Sequence, residues 1–248
     1  MITTNGIVIR EKNFGENDKF IDILTDNYGV IEIMVKGSKK INSQNSSSTQ
    51  LFAYSKFCLE SKKDKYYLNS CEPIKIFYDI RLDIDKLSLV SYFSELISFT
   101  VCEDKNSEIL KLFLNTIHFL SIGKREEILL KSIFELRLMA EIGMMPNVVA
   151  CGCCNIYLDD KMFFVVENGG IYCHNCYNNF DELTSISLTD SVLHALRYIL
   201  LSDFNKIFNF TISPLSQNKL AYISESYLLS HLGRKFKTLD FYKSIKKN

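Results

Sequence analysis

The sequence predicts an α+β protein of several domains, in which a small N-terminal β-barrel precedes an all-α domain that carries an inserted four-cysteine zinc ribbon. Three observations lead to this fold class. Apolar residues alternate with polar ones in five short segments before residue 80, they recur at helical spacing from about residue 82, and two Cys-x-x-Cys pairs interrupt the helical region. We therefore expect a barrel domain at 1–80, a helical domain in two parts at 81–150 and 181–248, and the ribbon at 151–180.

The five alternating segments are expected to be the strands of the barrel. They lie near Ile7, Ile21, Ile31, Phe57 and Tyr66, with turn-forming residues between them. Strands this short and closely spaced suit a barrel, because closure removes the exposed strand edges. The serine-rich stretch 39–50 is too polar to pack against a core, and we expect it to be a mobile loop.

Apolar residues at helical spacing predict five helices in the rest of the chain. Their expected ranges are 82–102, 107–120, 126–142, 188–201 and 218–232. The third is apolar on most sides and should lie at the centre of its bundle. Gly143 and Gly233 are expected to end the third and fifth helices, and Ser187 or Thr189 should cap the start of the fourth.

The two Cys-x-x-Cys pairs carry the most specific chemistry of the sequence. Two residues between paired thiolates allow both sulfurs to bind one ion at about 2.3 Å, and two such knuckles complete a tetrahedron. Residues 162–166 alternate and a turn at 168–170 follows, so a β-hairpin should connect the knuckles. We therefore expect one structural zinc ion, held by Cys151, Cys154, Cys173 and Cys176.

Two neighbouring residues bear on this ligand set. Cys153 is expected to stay uncoordinated, because a bond to either neighbouring cysteine would distort the knuckle. His174 could replace one thiolate, although the paired cysteines already have the spacing of a zinc ribbon. With four protein ligands the metal has no open position for water or substrate, so it should stabilise the fold rather than catalyse a reaction.

Composition and motifs exclude several classes of protein. The 248 residues are 47% hydrophobic but contain no apolar run of about 18 residues, so we expect a globular protein with no membrane span. The N-terminus does not have the pattern of a signal peptide, which favours a cytoplasmic protein, where clustered cysteines indicate metal rather than disulfides. A Walker A loop, a Gly-x-Ser-x-Gly elbow and the His-x-Glu of zinc deaminases are all missing, so no enzyme is expected.

Local charge is more informative than total charge, since 29 basic and 29 acidic residues cancel. Residues 36–65 hold seven lysines against two acidic residues, and residues 231–248 hold six cations against one, an excess of five positive charges in each. Basic loops beside strands with exposed rings suit a single-strand binder, and the candidate rings are Tyr54, Phe57, Tyr66 and Tyr67. The alternative interpretation is that these lysines make the barrel soluble and the rings fill its core.

Several stretches, in order along the chain, also carry a family resemblance. Near the N-terminus they are GIVIREKNFGENDK at 6–19, LTDNYG at 24–29 and VKGSKK at 35–40. Further along they are FELRL at 134–138, GMMP at 143–146, the paired knuckles, and YLLSHLGRKFKTLD at 227–240. Together they resemble the RecO family of recombination mediators in DNA repair, with the weakest similarity at 42–49 and 203–217.

This resemblance implies that the barrel is an OB-fold and that the protein is a mediator without catalytic activity. It implies binding to single- and double-stranded DNA, annealing of complementary strands, association with RecR and single-strand-binding protein, loading of RecA, and a place at the nucleoid. The implied phosphate contacts on the barrel are Arg10, Lys12, Lys19, Lys36, Lys39 and Lys40. The alternative DNA path follows the C-terminal basic patch through Arg234, Lys235 and Lys237.

Two other classes of function stay open at this point. One is a zinc-ribbon adaptor that binds only proteins, and the other is a zinc-dependent enzyme that acts on nucleic acid. A salt titration of single-strand binding separates the mediator from the adaptor, because phosphate contacts make affinity fall steeply with salt.

Overall fold

The computed structural model describes residues 1–38, 45–63, 65–101, 107–177, 180 and 185–246. The chain forms two compact units, of which the first contains Met1–Ile122 and Phe236–Asn248 and the second contains Gly123–Lys235. Within the described ranges, every helix is too short or too polar to cross a membrane. Residues up to 122 belong to the same compact unit as the barrel. The predicted division into four parts stays a prediction.

The first unit begins with five strands. They are β1 (Ile2–Phe14), β2 (Asp18–Thr25), β3 (Val30–Val35), β4 (Ala53–Lys62) and β5 (Lys65–Ile76). They close into a barrel in the order β1-β2-β3-β5-β4, in which β3 and β5 are parallel and the other pairs are antiparallel. A five-stranded barrel with this order is an OB-fold, so the predicted barrel is confirmed.

The barrel core follows from the alternation within each strand. Ile21 and Ile23 of β2 pair with Ile33 and Ile31 of β3, and all four side chains are buried. Phe57 of β4 is also fully buried in this core. For Phe57, therefore, the core interpretation holds and the base-stacking interpretation does not, because every second residue of β4 points inward.

The prediction that the stretch 39–50 is too polar to pack is wrong for the segment 45–50. Ser48 and Thr49 are buried. The backbone N–H and the hydroxyl of Thr49 both donate to the carbonyl of Asn45, at 3.2 and 2.7 Å. This polar segment packs because its backbone groups find partners within the unit. Residues 39–44 of the predicted loop lie outside the described residues.

Four helices complete the described part of the first unit. They are α1 (Tyr78–Leu82), α2 (Ile84–Thr100), α3 (Ser107–Ser121) and α8 (Lys237–Lys246). α8 packs against α2, where the Glu95 carboxylate accepts a hydrogen bond from the Thr238 hydroxyl at 2.5 Å. α8 is absent from the sequence prediction, because its buried residues Leu239 and Tyr242 form too short an apolar stripe.

The second unit combines helices with a small sheet. Its elements are α4 (Glu127–Glu141), β6 (Met162–Val165), β7 (Gly170–Cys173), α5 (His174–Tyr177), β8 (Ser185–Leu188), α6 (Asp190–Leu201) and α7 (Pro214–Leu232). The sheet has the order β7-β6-β8, so the predicted hairpin of β6 and β7 is confirmed and β8 is an additional strand. Thr189 caps α6, and Gly233 ends α7 in the left-handed conformation with φ of 60°.

α4 lies at the centre of the second unit, as its apolar sequence predicts. Every residue from 129 to 136 is buried, including two charged ones. The Lys131 ammonium lies 2.8 Å from the Glu135 carboxylate and 3.0 Å from the Glu225 carboxylate of α7. The Ser224 hydroxyl donates to Glu135 at 2.6 Å. A buried ion-paired network therefore joins α4 to α7.

Candidate metal centre and nucleic-acid surface

Backbone hydrogen bonds shape the first knuckle, residues 151–154. The Cys151 N–H donates to the Ile156 carbonyl at 2.9 Å, and the Gly152 N–H donates to the Ile171 carbonyl in β7 at the same distance. The Asn155 N–H donates to the Cys151 carbonyl at 3.0 Å, and Asn155 has a left-handed backbone conformation with φ of 60°. These bonds turn the chain tightly and attach the knuckle to the hairpin.

The β6–β7 hairpin supplies the second knuckle, residues 173–176. Cys173 is the last residue of β7 and pairs with Met162 of β6. The single turn of α5 follows at once and carries Cys176. The Cys173 N–H donates to the Cys151 sulfur at 3.5 Å, so an amide of the second knuckle contacts a sulfur of the first.

The four sulfur atoms converge on one point. Those of Cys151, Cys154, Cys173 and Cys176 all lie within 4.8 Å of one another. The Cys173 sulfur is 3.8 Å from that of Cys151 and 3.6 Å from that of Cys154. Sulfurs about 2.3 Å from a central ion stand about 3.8 Å apart at the corners of a tetrahedron, so this spacing fits a single tetrahedral metal ion. It is too long for a disulfide, whose sulfurs are about 2.05 Å apart.

The pKa values of two of these thiols are shifted in opposite directions. Burial raises the pKa of Cys151, but backbone N–H groups of Cys154, Cys173 and Cys153 outweigh it and lower that pKa to about 6. Hydrogen bonding to Cys173, together with burial, raises the pKa of the Cys176 thiol well above its ordinary value. The Cys151 thiol therefore ionises more readily than the Cys176 thiol, whose proton a bound metal must displace.

The neighbouring candidates lie outside this set. Cys153 is exposed, and neither it nor His174 belongs to the cluster of potential ligands found among the described residues. The backbone N–H of His174 donates to the Asp159 carboxylate at 3.3 Å, and the His174 ring lies 5.9 Å from the Tyr177 ring. The geometry therefore favours four cysteine donors over the His174 alternative.

Three of the predicted DNA contacts are exposed on the barrel. Arg10 and Lys12 lie on β1, and Lys36 follows β3 directly. The Arg10 guanidinium lies 2.6 Å from the Asp22 carboxylate on β2, yet 63% of its side chain is exposed. The Lys36 ammonium lies 5.8 Å from the centre of the Tyr67 ring. These cations are accessible to phosphates.

The prediction that Lys19 contacts a phosphate is wrong. It is buried, and its ammonium donates to the Thr49 carbonyl at 2.7 Å and to the Glu11 carboxylate at 3.1 Å. These bonds hold the segment 45–50 against β2, so Lys19 has a structural role. Lys39 and Lys40 lie outside the described residues and stay predictions.

A cleft on the barrel contains two of the predicted rings, Tyr66 and Tyr67, beside Lys65, but its other lining residues are not predicted from the sequence. Its volume is about 330 Å³, and it is lined by Phe14, Phe20, Ile31, Glu32, Met34, Lys65, Tyr66 and Tyr67. Phe20 pairs with Met34, and Met34 pairs with Tyr67, so one row crosses β2, β3 and β5. The Phe14 ring meets the Phe20 ring edge-on at a centroid distance of 5.1 Å. The row becomes visible only once the strand register is known.

The C-terminal basic patch is divided between the two compact units. Arg234 and Lys235 follow α7 in the second unit, whereas Lys237 begins α8 in the first. All three side chains are exposed. The patch is thus continuous in sequence but belongs to two separate units.

Comparisons with known proteins agree with this architecture. The family profile described as Recombination protein O N terminal matches residues 1–77, and the one described as Recombination protein O C terminal matches residues 81–240. The DNA repair protein RecO of Acetivibrio thermocellus is 33% identical over 245 residues, which are 98% of this chain and 97% of that protein. The DNA repair protein RecO of Alkaliphilus metalliredigens is 31% identical over 250 residues, covering 99% of this chain and 100% of that protein. Because both profiles match in order over nearly the whole chain, the chain belongs to the RecO family of DNA repair proteins.

Proposed function

We propose that this chain is a DNA-binding recombination mediator without catalytic activity. It anneals complementary strands and, with RecR, helps load RecA onto single strands coated by single-strand-binding protein. Membership in the RecO family supports this assignment. Among the described residues, the group of potential metal ligands consists of four cysteines, which leaves a bound metal no open position for a reacting water.

The observation that carries the proposal is the cleft of rings on the barrel and the cations at its edges. Proteins that bind single strands without reading sequence combine charges that track phosphates with rings that stack bases. Here Phe14, Phe20 and Tyr67 supply rings. Lys65 lines the cleft itself, and Lys12 pairs with Phe20 at one end of the row. Each stacked base contributes about 1–3 kcal/mol and does so for any base type, which suits a protein that acts on any gap.

The same surface accounts for binding to double strands through phosphates alone. The proposed contacts on the barrel are Arg10, Lys12, Lys36, Lys39 and Lys40. We prefer this surface to the C-terminal patch, because its described cations lie beside stacking rings within one compact unit. Contacts of this kind depend on ionic strength rather than on base sequence.

The metal at the four cysteines is proposed to be a single structural zinc ion. Thiolates are soft ligands that select zinc among the common divalent ions, and the tetrahedral spacing of the sulfurs suits it. When bound, the ion would connect the first knuckle to the hairpin and contribute on the order of 10 kcal/mol to folding.

A salt titration with matched lysine variants tests the DNA path. In Lys12→Ala/Lys36→Ala, single-strand affinity should fall for all sequences, and the slope of log K against log salt should flatten by about 0.7 per lost contact. The control is Lys111→Ala/Lys206→Ala, which removes two exposed, ion-paired lysines elsewhere. The barrel variant could instead keep the wild-type slope while Arg234→Ala/Lys235→Ala/Lys237→Ala loses single-strand affinity. That result would mean that DNA binds along the C-terminal patch.

The mediator role needs its own measurement. Fluorescently labelled complementary strands should anneal faster with the wild-type chain than with the barrel variant, and purified RecR should bind the wild-type chain. A chain that shows neither salt-dependent DNA binding nor annealing, yet binds proteins, would be the adaptor considered above.

A further inference from the structure

Arg197 of α6 binds three backbone carbonyls next to the metal centre. Its Nε donates to the Val148 carbonyl at 2.9 Å. Its Nη2 donates to the carbonyls of Val149 and Tyr157, at 3.0 and 2.5 Å. A planar guanidinium can contact several acceptors at once in a fixed geometry, which a lysine cannot do.

These carbonyls lie on both sides of the first knuckle. The first is three residues before Cys151, and the last is three residues after Cys154. One side chain therefore closes residues 148–157, called here the knuckle segment, into a loop that contains two of the four sulfur ligands. The described backbone hydrogen bonds inside the knuckle join Cys151 to Asn155 and Ile156, so they do not connect the two ends of the segment at 148 and 157.

The Arg197 site is enclosed by the protein. The residue is only 6% exposed, and the Tyr157 ring covers the guanidinium with its centre 3.8 Å away. Its Nη1 is buried and has no hydrogen-bond partner among the described residues. A buried guanidinium is costly unless its donors are satisfied, so the site is stable only while the knuckle segment supplies its carbonyls. The placement of the Arg197 side chain and the shape of the knuckle segment thus depend on each other.

A loop that is already closed binds a metal more tightly than one that must be ordered. Fixing a residue's backbone costs about 1–2 kcal/mol, and this cost weakens binding when the metal has to meet it. Residues outside the ligand set that orient the ligands typically change metal affinity about 10- to 100-fold when they are removed.

We propose that Arg197 is a positioning residue for the metal centre, which holds the first knuckle in its ligating shape before the metal arrives. The inference rests on the proposed assignment of a metal to the four cysteines. It extends that assignment by making a helix of the second unit a determinant of metal affinity.

Arg137 provides a matched control within the same unit. Its guanidinium donates to the carbonyls of Ile199 and Leu200, at 3.4 and 3.3 Å, and pairs with Glu141 at 2.8 Å. None of these partners belongs to the knuckle segment. Removing Arg137 therefore disturbs a comparable set of arginine–carbonyl bonds without touching the ligands.

The test compares full-length Arg197→Lys, Arg197→Met and Arg137→Met. Zn²⁺ affinity is measured by competition with a chromophoric chelator, and thermal unfolding is followed in excess Zn²⁺. Both Arg197 variants should bind Zn²⁺ about 10- to 100-fold more weakly than wild type. Arg137→Met should keep wild-type Zn²⁺ affinity even where it lowers the melting temperature.

The outcomes separate the inference from the assignment beneath it. A wild-type chain that binds no Zn²⁺ would remove the metal assignment itself. Wild-type affinity in the Arg197 variants, or an equal loss in the Arg137 variant, would overturn only the role of Arg197. If Arg197→Met fails to fold, Arg197→Lys decides. Failure of both to fold would make Arg197 a core residue rather than a positioning one.

Discussion

Replacing Lys131 by methionine tests the buried network that joins α4 to α7. The Lys131 side chain is 4% exposed and the Glu135 side chain is fully buried, with their charges 2.8 Å apart. Methionine fills most of the lysine stem but leaves the Glu135 carboxylate without its cation. Breaking a buried pair in this way costs about 3–5 kcal/mol. Since whole domains are stable by about 5–15 kcal/mol, the variant should lose a large part of its stability.

A triple variant separates the charge from the packing. In Lys131→Met/Glu135→Leu/Glu225→Leu these three charged side chains become apolar, and such replacements are often neutral or stabilising by about 1–4 kcal/mol. The Ser224 hydroxyl loses its carboxylate partner but keeps the Ala221 carbonyl at 3.2 Å. The triple variant should therefore be more stable than the single one.

The pH dependence of stability gives an independent check. Burial lowers the pKa of Lys131, but the Glu135 and Glu225 carboxylates outweigh it and raise that pKa above the ordinary 10.5. A cation with a raised pKa contributes stability that is fully present below 10.5 and is lost as the pH rises through the folded pKa. The wild-type chain should lose this contribution in alkali, whereas Lys131→Met has none to lose.

Denaturant unfolding measures these differences. The chain has no tryptophan, so far-UV circular dichroism at a fixed Zn²⁺ concentration is the appropriate probe. Lys111→Met is the control, because its pair with Glu108 is exposed and such pairs contribute about 0–1 kcal/mol. A Lys131→Met variant no less stable than Lys111→Met would refute the reasoning, since it would mean that water already screens the network.

Three further predictions concern the four-cysteine cluster and the barrel. Cys154→Ser should lose bound zinc while Cys153→Ser retains it, and elemental analysis that finds the reverse would contradict the ligand set. Lys19→Ala removes the ammonium that holds the Thr49 carbonyl, so limited proteolysis should cut the segment 45–50 faster than in wild type, and equal rates would argue against that role. Tyr67→Leu should weaken single-strand binding by about 1–3 kcal/mol and duplex binding much less, whereas Tyr222→Leu, at an exposed ring in the second unit, should change neither.

The cluster of four cysteines could be predicted because the spacing of its members is a local property of the sequence. Two residues between cysteines fix where both sulfurs point, and the hairpin between the knuckles follows from alternation over a few residues. The five alternating segments likewise predict a small barrel, whereas its assignment as an OB-fold came from the family resemblance. β8 was not predicted, because a four-residue strand depends on its pairing with β6.

The barrel surface was harder to predict because it depends on contacts distant in sequence. A lysine in a strand is ordinarily exposed, but the segment 45–50 covers Lys19. The aromatic cleft needs the register of β2, β3 and β5, which places Phe20 beside Met34 and Met34 beside Tyr67. Sequence periodicity shows which residues point outward but not which of them become neighbours.

The chain leaves its first unit at Ile122 and returns to it at Phe236, which determines the order in which a ribosome can complete the two units. The Phe236 ring is buried edge-on against the Tyr92 and Phe99 rings of α2. During synthesis this part of α2 stays uncovered until residues 123–235 have been made, a delay on the order of ten seconds. The nascent first unit therefore exposes these apolar rings of α2 while the second unit is being made.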